Sequence, residues 1–281
     1  MIATVLLMAY GSPDAPEQMA EFLRGVFRGR SVPEATVAEF QARYRLFGGR
    51  SPLLDISRRQ AAQLQLRVGC HVLVGMRHWH PFIEDVVANV RGPILGLPLA
   101  PHYSRFSVGE YHEALRAATD EPLHLVDSWH LEPGLLDAWA ERIRDGCRRH
   151  RPDVVLFTAH SVPDDPDDPY ARQLQETVGG IMARLDKVSW QFAYQSASSA
   201  PLKWLGPDVD ARLRELRRAG AESVLAAPVS FVSDHAEVLY DLDHLHRRSA
   251  EALGIRLERC ESLNEHPRLI EALADVVRRF L

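Results

Sequence analysis

Three residues stand where chemistry is most readily done. His160 closes the apolar run Val154-Val155-Leu156-Phe157 and is followed by Ser161-Val162-Pro163. A histidine at a strand end suits proton or metal work, because its ring exchanges a proton near neutral pH. A structural histidine would fit the same spacing. Glu237 and Asp241 lie four apart in Ser233-Asp234-His235-Ala236-Glu237-Val238-Leu239-Tyr240-Asp241. On a helix they share a face, where like charges repel by a few tenths of a kcal/mol unless a cation or proton intervenes. That suits a route for metal ions or protons, and a solvated acidic face has the same pattern.

A second set lies between the first two apolar runs. Arg43-Tyr44 and Gly48-Gly49-Arg50-Ser51-Pro52 share that stretch with Phe22, Phe27, Phe40 and Phe47. Such an arm could cover a flat apolar ligand bearing carboxylates, since arginine makes paired bonds to carboxylate and tyrosine and serine add hydroxyls. An amphipathic helical hairpin with a core stripe explains the phenylalanines equally well. The alternating pairs His78/His80 and His244/His246 lack the further ligands of a closed metal site and read as surface features. Asp164, Asp165, Asp167 and Asp168 lie among prolines without EF-hand spacing and read as a loop. No phosphate-cradling glycine motif occurs, so no nucleotide cofactor is expected.

Positioning these residues requires strands with exposed ends. Apolar runs over 3–9, 70–75, 93–98, 123–128, 153–159, 189–195, 222–228 and 255–260 predict eight strands. Helices are predicted over 133–147, 169–185, 208–219 and 266–280, a pattern that means parallel sheets covered on both faces. The halves echo each other. Met8-Ala9-Tyr10-Gly11-Ser12-Pro13 resembles Thr158-Ala159-His160-Ser161-Val162-Pro163. Leu99-Ala100-Pro101 with Tyr111 resembles Ala226-Ala227-Pro228 with Tyr240, and Asp127-Ser128 through Pro133 resembles Glu261-Ser262 through Pro267. Three echoes in the same order predict a duplicated four-strand unit. The fold expected is α/β: two similar Rossmann-like domains, each a four-stranded parallel sheet flanked by helices, with a cleft between them. The first covers 1–135 with an insertion near 14–67, the second covers 136–262, and a helix in 263–281 packs back on the first. Ligands of such folds bind beyond the carboxyl ends of the strands, which places Tyr10 and His160 on opposite walls of the site.

Composition excludes other classes. A formal charge of −5 over 281 residues argues against a nucleic-acid partner. Cys70, Cys147 and Cys260 are isolated, which predicts a reducing compartment, no disulfide framework and no iron–sulfur cluster. The apolar start lacks a basic leader and runs into Tyr10-Gly11-Ser12-Pro13, so it reads as a buried strand. No stretch reaches the roughly 20 apolar residues of a spanning helix. A cytoplasmic protein without stable membrane insertion is expected.

Taken together these segments resemble ferrochelatase over essentially the whole chain. The resemblance is carried by Met8 through Pro13, Arg43-Tyr44, Gly48 through Leu53, Pro81-Phe82-Ile83-Glu84-Asp85 and Pro101-His102-Tyr103-Ser104. Further along it is carried by Ala159 through Pro163, Asp168-Pro169-Tyr170, Trp204-Leu205-Gly206-Pro207-Asp208 and Phe231 through Asp241. It implies insertion of ferrous iron into a porphyrin, with His160 and Glu237 as catalytic and metal-site residues. Tyr10, Arg43, Tyr44, Ser51 and Tyr111 become porphyrin-contacting positions. The Ala9-Tyr10-Gly11 form is similar to the coproporphyrin III branch, in which the tyrosine can ligate iron on the other face of the product. The resemblance implies no cofactor beyond the substrate iron, and a monomer is expected. Three departures stand out: Phe27 where that branch often has arginine, Leu245 where a further acid often extends the line, and Arg77 where lysine is common. Alternatives left open are a protoporphyrin IX ferrochelatase, a cobalt or nickel tetrapyrrole chelatase, and a non-catalytic haem carrier.

Overall fold

The computed structural model describes residues 2–198 and 201–281. Its strands are β1 (Thr4–Ala9), β2 (His71–Met76), β3 (Ile94–Pro98), β4 (Leu123–Leu125), β5 (Val154–His160), β6 (Trp190–Gln195), β7 (Ser223–Pro228) and β8 (Arg256–Arg259). They form two sheets, β2-β1-β3-β4 and β6-β5-β7-β8, so the order of the first half recurs in the second. Every ladder is parallel. Parallel neighbours need crossover segments, and helices supply them.

The first crossover holds α1 (Met19–Val26), α2 (Glu34–Leu46) and α3 (Leu53–Val68). Next come α4 (Ile83–Val87), α5 (Val108–Ala118) and α6 (Pro133–His150), which joins the halves. The second half carries α7 (Tyr170–Met182), α8 (Val209–Arg218), α9 (His246–Ala252) and α10 (Pro267–Arg278). The segment Val238–Leu245 between β7 and β8 is a π-helix.

Side chains alternate across each strand, so each sheet feeds two cores. Val5, Leu7 and Ala9 of β1 enter a central core, while Leu6 and Met8 enter an outer one with Ile83, Tyr111 and Leu115. β5 repeats the pattern: Val155, Phe157 and Ala159 point to the central core, and Val154 and Leu156 to an outer one with Val209, Leu213 and Ala250. The central core also takes Leu64 of α3, Trp139 and Ile143 of α6, Leu174 and Val178 of α7 and Leu273 of α10. Packed helices join the halves, and functional side chains gather only at the carboxyl edges. α10 packs on α6 and on α3 of the first half. A Cβ on Gly134 would stand 2.6 Å from the Arg268 carbonyl oxygen, so α6 and α10 approach almost backbone to backbone.

All eight strands lie within a residue or so of their predicted starts. The main difference is β4, which ends at Leu125 and not at 128. Val126 still donates to the Gly96 carbonyl (3.0 Å), but beyond it the chain turns and Trp129 Nε1 donates to the Pro98 carbonyl (2.8 Å). Within the 14–67 stretch, α3 is a sheet-covering helix, and α1 and α2 form the part that stands over the site. They pack on a small core of Met19, Phe22, Leu23, Tyr44 and Trp79.

Candidate active site at the carboxyl edges

His160 is the last residue of β5, opposite Gln195 of β6. Its backbone N–H donates to Ser230 Oγ (3.2 Å), and its ring Nδ1–H donates to the Ser161 carbonyl (2.5 Å). That fixes the ring with Nε2 turned outward. Nε2 stands 3.6 Å from Glu237 Oε2. The two come from different segments of the second sheet's edge: His160 ends β5, and Glu237 caps the π-helix that follows β7. Both remain open to solvent, with side-chain exposures of 32% and 46%.

The loop before Glu237 is held from below. Asp234 accepts from Ser262 Oγ (2.7 Å), Asn264 Nδ2 (2.9 Å) and Arg259 Nη1 (3.2 Å). Arg259 also grips Asp243 of the π-helix with two parallel bonds of 2.9 Å each. Paired arginine–carboxylate bonds fix orientation as well as distance. They set how the π-helix, and with it Glu237, faces His160.

Charge at the centre is arranged as an ion pair. Desolvation opposes the charged form of His160, but the Glu237 charge and hydrogen bond outweigh it and raise its pKa above the usual imidazole value. Desolvation likewise opposes ionisation of Glu237, yet His160, His235 and Arg43 pull its pKa down to about 2. Asp241 moves the other way: burial and the Glu237 charge raise its pKa, so it holds a proton more readily than a free aspartate. Glu237 stands at the N-cap of the π-helix and Asp241 within it feels its charge, and their neighbours drive their acidities apart.

The first half brings its aromatics to the same place. Tyr10 follows β1, with its ring 4.5 Å from that of His78 and 39% of the residue exposed. Gly11 explains the motif: its φ is +95°, and a Cβ there would lie 2.9 Å from the Trp79 backbone nitrogen. Only glycine accepts both conditions cheaply. Burial raises the pKa of the Tyr10 and Tyr111 hydroxyls, reinforced by the Glu237 and Glu110 carboxylates, so both stay neutral. Burial does the same to Tyr44, against an opposing hydrogen bond from Ser12. Arg43 of α2 lies 4.9 Å from the centre of the Tyr240 ring and 4.8 Å from that of Phe40. Ser51 is placed differently: it is buried, and its hydroxyl accepts from the Leu53 N–H (3.4 Å) at the start of α3.

Some neighbours escaped the sequence reading. His78 and His246, read there as surface features, are both buried. His78 lies between Tyr10 and Glu110, 3.8 Å from Glu110 Oε2, and burial lowers its pKa to about 4. Phe27 is exposed, and the adjacent Arg28 reaches Glu110 (2.8 Å). Proximity in the fold, not in the chain, marks these residues, and no spacing announced them.

His160 Nε2 and the Glu237 carboxylate could hold a divalent ion as one nitrogen and one oxygen ligand. No group of three or more His, Cys, Asp or Glu able to hold a metal occurs among the described residues. Such an unsaturated site suits an ion that is passed on rather than kept.

A family model described as Ferrochelatase matches residues 3–281. A curated "Ferrochelatase" of Deinococcus radiodurans is 38% identical, with 98% of this chain and 95% of the relative covered. One of Herpetosiphon aurantiacus is 36% identical, with 97% of each covered. A "Coproporphyrin III ferrochelatase" of Geobacillus kaustophilus is 36% identical, covering 98% of this chain and 95% of the relative. Among solved structures, CbiX, the terminal enzyme of sirohaem biosynthesis in denitrifying bacteria, superposes with a TM-score of 0.62 at 14% identity over 99% of both chains. SirB from Bacillus subtilis with Fe3+ gives 0.59 at 14% identity, over 99% of this chain and 95% of that one. These two share the fold.

Proposed function

The chain belongs to the ferrochelatase family, and from that premise we propose that it inserts ferrous iron into coproporphyrin III, with His160 and Glu237 at the centre. It is a metal-chelatase lyase, and porphyrin and iron are its substrates. The observation that carries the reading of the site is the 3.6 Å approach of His160 Nε2 to Glu237 Oε2, with Tyr10, Tyr44, Tyr111 and Arg43 near enough to share electrostatic interactions with Glu237. Two features support coproporphyrin III over protoporphyrin IX: the Ala9-Tyr10-Gly11 sequence, and relatives that carry the coproporphyrin name. No helix among the described residues is long and apolar enough to cross a membrane.

Insertion exchanges two pyrrole protons for one dication through a face that is flat at rest. The site therefore bends the ring, removes protons and delivers iron. Aromatic and arginine contacts from α2 and the β1 edge supply remote binding energy that can be spent on distortion. His160 and Glu237 sit where the inner nitrogens would present their protons. Their pairing keeps a proton on the imidazole until a dication or the bent ring competes for Glu237. Asp241, poised to accept a proton, continues the path away from the ring. Tyr10, on the other side of the opening, can offer its oxygen to the inserted iron. No cofactor is needed for any of these steps.

An anaerobic assay with Fe2+ tests the reading directly. kcat/KM for coproporphyrin III should exceed that for protoporphyrin IX by roughly ten-fold or more. Equal or reversed values would move the assignment to protoporphyrin IX. Tight haem retention with no insertion would make the protein a carrier.

A further inference from the structure

A bound porphyrin would cover the open face of His160 and Glu237, so the released protons need a second way out. Behind the site lies a cavity of about 290 Å³ walled by polar side chains. Ser161, next to His160, lines it together with Gln195 and Ser196 of the adjoining strand end. Its mouth is formed by the exposed residues Asp208 and Arg214. Ser196 has a φ of +61°, a conformation costly for a non-glycine residue, and its hydroxyl donates to Asp241 Oδ2. Asp241 is the acid next to Glu237, so Ser196 joins the catalytic line to the cavity.

On the cavity wall stands a buried dyad. His246, 7% exposed, places Nδ1 2.9 Å from Asp210 Oδ1. The carboxylate holds the proton on Nδ1 and leaves Nε2 as the basic atom, the usual way a carboxylate orients a working imidazole. Nε2 is buried and lacks a protein partner among the described residues, and so do both amide atoms of Gln195, which is 2% exposed. Buried polar atoms without protein partners, beside a cavity several times the volume of one water, are what an internal water chain requires. The charged and titratable groups around His246 are Asp210 and Arg214 of α8, Asp208 at its N-cap, Asp241 of the π-helix and Tyr194 of β6. Elsewhere on the π-helix, Asp243 is gripped by Arg259, His244 stacks on Tyr240, and the helix ends in the apolar Leu245.

We propose that His246, oriented by Asp210, is the proton acceptor that drains Asp241 through this cavity to solvent. A pyrrole proton reaching Asp241 passes by way of the Ser196 hydroxyl or water to His246 Nε2, then to a solvent base at the mouth. Two protons leave for each iron that enters, and no electrons move. Traffic of iron itself through this opening is disfavoured, since Arg214 stands at the mouth and Asp208 is engaged in capping α8 through Ala211 N–H (2.6 Å). The inference rests on the iron-insertion reading.

The test measures iron insertion anaerobically at low buffer concentration, with added imidazole as the probe. His246→Ala should lower kcat roughly ten- to a hundred-fold while KM for porphyrin and iron stays unchanged, and imidazole should restore the rate. Asp210→Asn should show a smaller loss. Should His246→Ala fail to fold, His246→Gln retains the size and the contact to Asp210, and it should lose kcat without rescue. Unchanged kcat in either folded His246 variant, or a loss in His246→Ala that imidazole does not restore, overturns the relay. Wild-type protein without insertion activity would instead overturn the functional reading, and the relay with it.

Discussion

Arg43 of α2 lies 4.9 Å from the ring centre of Tyr240 on the π-helix, so the arm from the first half rests directly on the element that carries the second half's acids. The same guanidinium pairs with Glu39 one helical turn earlier, and its Nε is buried with no hydrogen-bond partner among the described residues. A ligand that engages Arg43 would therefore bear on the acid line. Lysine cannot reproduce a planar cation lying over a ring. Arg43→Lys should raise KM for the porphyrin by roughly ten-fold, with a smaller effect on kcat, in a steady-state assay at saturating iron.

His160→Ala should cut insertion by at least about a hundred-fold while porphyrin still quenches protein fluorescence on binding. Glu237→Gln keeps the shape and removes the charge that pairs with His160, and it should slow insertion strongly. A near-normal rate in either variant would remove that residue from the mechanism.

Tyr10→Phe tests the opposite wall. If the Tyr10 oxygen meets the inserted iron, the variant should keep porphyrin binding, shift the visible spectrum of the bound product and release it faster. An unchanged product spectrum would exclude the contact.

Arg259 has only 14% of its side chain exposed and neutralises Asp234 and Asp243 together. Arg259→Leu removes the cation shared by both carboxylates, leaving Asp234 only its neutral donors Ser262 and Asn264, and should destabilise the fold by about 3 kcal/mol in denaturant titrations. In the surviving folded fraction, the apparent KM for iron should rise, because Glu237 loses its fixed approach to His160.

Acid should weaken the fold through its buried neutral histidines. Burial lowers the pKa of His102 from 6.5 to about 3, with a smaller contribution from His130. The unfolded chain takes up that proton below pH 6.5 and the folded chain does not. Stability therefore falls as pH drops from about 6.5 towards 3, by up to about 1.4 kcal/mol per pH unit for each such group. His102→Gln should flatten the slope measured between pH 6 and 4, and an unaltered slope would remove His102 as its source.

Much of this molecule is legible in one dimension. A strand needs only a short apolar run, and parallel strands need helices between them, so eight strands and a doubled unit follow from the amino-acid pattern. Strand ends are local too: His160 and Tyr10 are marked by where their apolar runs stop, and Gly11 by the turn it must make. The resemblance then attached chemistry to those ends.

Other features exist only once the chain is folded. The π-helix differs from an α-helix by its hydrogen-bond register, and Arg259 of β8 ties it to the loop before it through Asp243 and Asp234. The 3.6 Å approach of His160 to Glu237 depends on how two crossovers close. His78 and His246 read as surface features in the sequence yet are buried, because burial is a property of what packs around a side chain. Distances and acidities depend on neighbours far apart in the chain, and those neighbours are brought together only by the packed core that joins the two sheets.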